Sequence, residues 1–126
     1  MKHFLIILSV LAIFLIAIYG GLHFFGNLIY NTKSCDRFNI DNIELRTGVN
    51  IPKIVTSNCE CKDNNKISKF IIDSVKVDLD DYISKNEFTR VGNLYVKEND
   101  NSNSTYKVTF EKQTAELIIN LTYKGN

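Results

Sequence analysis

A run of 27 residues, from Phe4 to Tyr30, contains no Asp, Glu, Lys or Arg and consists mostly of Leu, Ile, Phe, Val and Ala. A helix needs about 20 consecutive apolar residues to cross a hydrocarbon core about 30 Å thick. The run is therefore long enough to span a bilayer with some tilt. We predict a transmembrane segment over residues 4–30, so the lipid bilayer is the first expected partner of this chain.

This run must be distinguished from a cleaved signal peptide. A signal peptide has an apolar core of about 7–15 residues and then a small-x-small cleavage site. Here the apolar stretch is longer, and the best such triplet, residues 32–34, contains Lys33. The sequence favours an uncleaved signal-anchor over residues 1–30, a linker over 31–34 and an exported domain over 35–126. Cleavage and lipidation at Cys35 are the alternatives.

Charge says little about orientation, because Lys2 precedes the apolar run while Lys33 and Arg37 come after it. We expect a single-pass protein of the cell membrane with its C-terminal domain outside the cytoplasm, since such N-terminal anchors usually export the domain on their C-terminal side. Apart from Lys2, the chain has 14 basic and 14 acidic residues. This balance argues against a nucleic-acid partner and against a polybasic lipid-binding patch.

Alternating apolar and polar residues after the linker indicate half-buried antiparallel strands. Five stretches show strand character: residues 53–62, 66–73, 94–98, 106–112 and 115–123. The first two are joined at residues 63–65, where Asp and Asn tolerate the left-handed backbone of a tight turn. The polar run over residues 99–105 is predicted to be an exposed loop.

Two helix signals complete the fold prediction. Asp78 is a candidate N-cap for a helix ending near residues 86–88, whose apolar side covers one face of the sheet. Asp41 and Glu44 have the spacing of a capping box, and Gly48 supplies a stop for a short helix. The predicted fold class is α+β: a transmembrane helix, then an antiparallel sheet of about five strands with one packed helix and one short capped helix.

The three cysteines predict one disulfide. Cys59 and Cys61 lie two apart on a predicted strand, so their side chains point to the same face and a bond between them would be strained. Cys35 can bridge to either one, and the sequence leaves this choice open. A zinc site would need four ligands, and the two histidines lie in the N-terminal region. We therefore predict no metal and no cofactor.

A candidate partner contact lies on the last predicted strand. Ile118 sits on its otherwise polar face, between Glu116 and Asn120. A single exposed apolar residue is weak evidence for a partner, but a last strand with no successor would also leave an open edge for another chain. The sequence therefore predicts contact at the outward face of the C-terminal hairpin or at the adjacent strand edge.

The functional expectation rests partly on elimination. His3 and His23 lie at the apolar segment, so no Ser-His-Asp or Cys-His arrangement can be assembled in the exported domain. The layout resembles that of small bacterial envelope proteins, including some immunity proteins against exported toxins. We predict a protein without catalytic residues that binds an unidentified protein partner, in an inhibitory, immunity-like or scaffold role. The alternative is a small thiol/redox or other envelope enzyme, with Cys59 and Cys61 as the residues of interest.

Overall fold

The computed structural model describes residues 1–124, which divide into two units, Met1–Asn31 and a second unit that begins at Thr32. The first unit is one helix, α1 (Lys2–Asn31), which is about 45 Å long at 1.5 Å per residue. The Ser9 hydroxyl donates to the Leu5 carbonyl at 2.9 Å, so this polar group is satisfied within the helix. As the sequence predicts, α1 is long and apolar enough to cross a membrane.

The second unit has the predicted α+β layout, with six strands and two helices between residues 32 and 124. The two helices are α2 (Asn39–Thr47) and α3 (Leu79–Lys85). The strands are β1 (Ile54–Lys62), β2 (Asn65–Ile72), β3 (Thr89–Val91), β4 (Leu94–Asp100), β5 (Ser104–Glu111) and β6 (Glu116–Tyr123). The three-residue strand β3 was not predicted, because so short a stretch shows no alternation.

The strands form a single antiparallel sheet in the order β1-β2-β6-β5-β4-β3. The last strand, β6, therefore lies between β2 and β5, and the prediction that it leaves an open edge is wrong. The reason is a long-range pairing, in which Phe70 of β2 is the Cα partner of Leu117 of β6. The two edges of the sheet are instead β1 and β3.

Tight turns connect the hairpins. The β1–β2 turn includes Asp63 at φ 55°, the left-handed conformation that its residue type predicts. The predicted loop over residues 99–105 is shorter in the structure, because Asp100 still pairs with Thr105 across β4 and β5. The Asn101 side-chain oxygen accepts from the Asn103 and Ser104 backbone amides, so a compact turn suffices.

One face of the sheet carries the core. Its largest fully buried apolar side chains come from four elements and the loop after α2: Ile43, Val49, Phe70, Ile72, Val108, Phe110, Leu117, Ile119 and Leu121. As predicted, α3 contributes to this layer. Tyr82 is buried with its ring centroid 5.6 Å from that of Phe110. Helix α2 also buries residues, so both helices cover the core.

At the helix ends, the structure confirms the predictions for Asp78 and Gly48 and contradicts the prediction for Asp41. The Asp78 side chain accepts from the Asp81 amide, as predicted, and Gly48 ends α2 at φ 72°. The prediction of a capping box at Asp41 is wrong, because α2 begins earlier. Its N-cap is Phe38, which makes no capping hydrogen bond through its side chain. The Glu44 carboxylate instead accepts from the Ile51 amide at 2.9 Å. This hydrogen bond holds the segment that follows α2 in place.

Candidate functional site

Strand β1 is a long edge of the sheet. It has nine residues and, among residues 1–124, pairs only with β2, so one side of its backbone faces away from the sheet. Most of its side chains are exposed. An edge strand of this length offers unpaired backbone donors and acceptors to another extended chain.

A groove of about 520 Å³ lies beside this edge. One side consists of residues 57–59 of β1, and the other consists of residues in the 35–41 segment, which leads into α2. The groove contains two acidic residues, Asp36 and Asp41, and no lysine or arginine among its lining residues. An extended partner with apolar and basic side chains therefore fits its chemistry.

Phe38 gives this groove an exposed aromatic side chain on strained backbone. The residue is 45% exposed and has φ 55° and ψ 28°, in the left-handed region. A side chain with a Cβ pays about 1–2 kcal/mol there, and a bulky residue is a rare occupant. Ile40, 37% exposed, lines the same groove. Phe38 and Ile40 thus place two exposed apolar side chains at the groove.

The three cysteines meet at one end of this groove. The structure joins Cys35 to Cys59 in a disulfide, with Cα atoms 5.6 Å apart, and leaves Cys61 as an exposed thiol. The Cys61 thiol donates to the Lys33 carbonyl at 3.1 Å, and its sulfur lies 2.6 Å from the Cys35 sulfur. The three sulfur atoms lie within 4.8 Å of one another. In this disulfide form only Cys61 carries a free thiol.

A buried polar cluster lies next to the cysteines on β2. Lys66, the Cα partner of Cys61, is 1% exposed and donates to the Asn42 side-chain oxygen at 2.8 Å. The Tyr123 hydroxyl lies 2.8 Å from the same oxygen. The salt bridges found among residues 1–124 do not include Lys66. The ammonium is thus held by a neutral amide in a low-dielectric site.

This environment changes the titration of the cluster. Burial lowers the pKa of Lys66 to about 8, the charge of Cys61 opposes this shift, and Arg46 adds to it. Burial also raises the pKa of Tyr123 to about 12. Lys66 was not predicted to be buried, because lysine is rarely found in a protein core. Its position in phase with Phe70 and Ile72 was the available signal.

The residues predicted for partner contact lie on the opposite, uncovered face of the sheet. Ile118 is half-buried there, between its Cα partners Lys69 and Thr109. The Asn120 side-chain oxygen accepts a hydrogen bond from the Asn65 amide group at 2.7 Å. Glu116 is the Cα partner of Glu111 in the pairing of β5 with β6. Ile118 is not the sole apolar residue of this face, since Ile67 and Ile71 of β2 point the same way.

The groove could not have been predicted from sequence, because it forms only when residues 35–41 meet residues 57–59. The available signal was an aromatic residue, Phe38, within a polar segment. Comparisons with known proteins add no assignment: no family model, no curated protein and no solved structure matches this chain.

Proposed function

We propose that this chain is a single-pass membrane protein whose C-terminal domain lies outside the cytoplasm and binds a protein partner there. The apolar helix α1 supports the anchor. The disulfide between Cys35 and Cys59 supports an oxidising compartment for the domain, because structural disulfides are rare in the cytosol. An inhibitory, immunity-like or scaffold role is compatible with such an anchored binding domain.

The observation that carries the binding proposal is Phe38. Its ring is 45% exposed, and its backbone lies in the left-handed region, a conformation that reduces the stability of the isolated domain. The residue lies beside the one long open edge in the described sheet. Together these features match recognition by strand addition, in which backbone bonds provide affinity and side-chain pockets provide specificity.

The groove also suggests the chemistry of the partner. An extended segment paired with β1 would place alternate side chains toward the groove. An apolar side chain would contact Phe38 and Ile40, while a lysine or arginine would lie near Asp36 and Asp41. The face with Glu116, Ile118 and Asn120 is a second candidate contact surface for the same function.

We expect Phe38→Gly to abolish partner capture while leaving the free energy of unfolding within about 1 kcal/mol of wild type, because relief of the left-handed strain offsets the lost half-buried ring. Glu87→Gly is the matched control: Glu87 is also exposed at positive φ, 59°, but does not line the groove. The measurement is crosslinking capture from native membranes, paired with urea unfolding of each variant.

Ile118→Lys distinguishes the two contact surfaces. The groove proposal expects this variant to capture the partner as wild type does, because the substitution adds a charge only on the opposite face. Loss of capture in Ile118→Lys, with normal capture in Phe38→Gly, would move the contact to the outer face and refute the groove.

The alternative, a thiol/redox protein of the cell envelope, is supported by one specific observation. The free thiol of Cys61 lies against the disulfide of Cys35 and Cys59. Turnover of an added dithiol or disulfide substrate by the purified protein would favour this alternative over the binding role.

A further inference from the structure

The three cysteines have an arrangement in which one sulfur can serve two partners. Cys59 and Cys61 are two residues apart on β1, so their side chains emerge on the same face. A direct bond between them is disfavoured by that geometry. Cys35, which comes from the segment before α2, is bonded to the first and lies 2.6 Å from the sulfur of the second. Cys35 is therefore the shared, central sulfur.

We infer that Cys61 exchanges with the disulfide, so that Cys35 alternates between Cys59 and Cys61 as its bonded partner. The Cys61 thiolate attacks the sulfur of Cys35, the bond between Cys35 and Cys61 forms, and the bond to Cys59 breaks. Cys59 leaves as a thiolate and takes a proton from water, replacing the proton that Cys61 released. One disulfide and one thiol are present before and after, so the step needs no oxidant or reductant.

The surroundings of Cys61 favour this attack. The Cys61 sulfur lies beside the disulfide, since the three sulfur atoms are all within 4.8 Å of one another. The hydrogen bond to the Lys33 carbonyl keeps the thiol beside the disulfide. The position of Cys61 therefore supports the reaction.

The two disulfide forms close loops of nearly the same size. The sequence separation is 24 for Cys35 and Cys59 and 26 for Cys35 and Cys61. Closure entropy depends only on the logarithm of loop length, so it does not favour one form over the other. Exchange moves the free thiol from the exposed Cys61 to Cys59, which lines the groove and accepts a hydrogen bond from Ser68.

The exchange therefore places the one free thiol at either of two positions, Cys61 or Cys59. In one form it is open to solvent, and in the other it faces the groove beside β1. This inference is independent of the proposed partner, since it concerns only the chemistry of the chain itself. It assigns Cys61 a role as nucleophile and Cys59 a role as leaving group, although the two have the same chemistry and differ only in position.

The sequence provides a direct way to measure exchange. Glu60 separates the two cysteines, and Glu44 separates both from Cys35, so cleavage after glutamate places each cysteine on its own peptide. Full-length protein in detergent micelles is treated with limiting N-ethylmaleimide, quenched with acid, cleaved without reduction and analysed by mass spectrometry. We expect label on both Cys59 and Cys61, with a ratio that does not change with protein concentration.

Single substitutions provide the controls. In Cys61→Ser the label on Cys59 should fall to background, because no thiol remains to release it. In Cys59→Ser the peptides of Cys35 and Cys61 should be linked. Wild-type label confined to one cysteine would overturn the inference. So would label on Cys59 in Cys61→Ser, two free thiols in Cys59→Ser, or a label ratio that changes with protein concentration.

Discussion

Replacing Cys35 with serine should lower the free energy of unfolding of the domain by about 3 kcal/mol, the chain-entropy value for a loop of this length. The disulfide with Cys59 ties the segment before α2 to the edge strand β1. Cys35 is the sulfur shared by both disulfide forms, so its loss cannot be compensated by the remaining pair. Urea unfolding of the full chain in micelles, monitored by tyrosine fluorescence, measures the change.

Two further variants make this prediction specific. Cys61→Ser retains the disulfide and should unfold at the wild-type urea concentration. Cys59→Ser should lose less stability than Cys35→Ser, because Cys61 can take its place. Equal stability of Cys35→Ser and wild type would show that the disulfide does not constrain the folded domain.

Replacing Lys66 with methionine should stabilise the domain at pH 7 by about 1–3 kcal/mol, because a buried charge is often better replaced by an apolar side chain of similar volume. The Tyr123 hydroxyl, which lies 2.8 Å from the Asn42 oxygen and 2.9 Å from the Thr32 carbonyl, can still donate its proton to the Asn42 oxygen. Lys69→Met is the matched control, since Lys69 is exposed three residues along the same strand.

The pH dependence of stability tests the same residue. The pKa of Lys66 is about 8 in the folded protein, whereas the ordinary lysine pKa of 10.5 applies to the unfolded chain. Between these two pH values the unfolded chain therefore binds more protons than the folded protein does. The free energy of unfolding should therefore rise as the pH rises from about 8 to 10.5. At 1.36 kcal/mol per pH unit, the rise over this interval is about 3 kcal/mol.

Measurement between pH 7 and pH 10 avoids an opposing effect. The pKa of Tyr123 is raised by burial, so the folded state resists its ionisation and stability falls as pH rises above the ordinary tyrosine value of 10.0. The informative quantity is the difference between wild type and Lys66→Met. This difference should shrink as pH rises, and a difference that stays constant would contradict the lowered pKa of Lys66.

The parts of the fold that could be predicted are those with local signals. Strands β5 and β6 alternate cleanly between apolar and polar residues, and Asp78 and Gly48 mark helix ends through their own side chain or backbone freedom. Strand β2 was predicted as a strand, but its pattern does not show which face is buried, because Ile67 and Ile71 compete with Phe70 and Ile72 for that face. The tertiary fold decides which of these two pairs is buried, and Lys66 is buried because it lies on the same face as Phe70 and Ile72.

The features that failed depend on contacts between distant parts of the chain. The position of β6 inside the sheet requires pairing with β2, which lies about 50 residues earlier. The N-cap of α2 is Phe38 rather than the expected Asp41, and its position depends on the segment that the disulfide fixes against β1. The groove arises from these same long-range contacts, so no local pattern could reveal it.

Binding of a protein at the open edge of β1 and its groove is tested most directly by photocrosslinking in native membranes. A photoreactive amino acid replaces Ser57, which is exposed and lines the groove, or Ile118 on the opposite face. We expect a crosslinked partner from position 57 that disappears in the Phe38→Gly background, and none from position 118. A partner crosslinked from position 118 and not from position 57 would contradict binding at the groove.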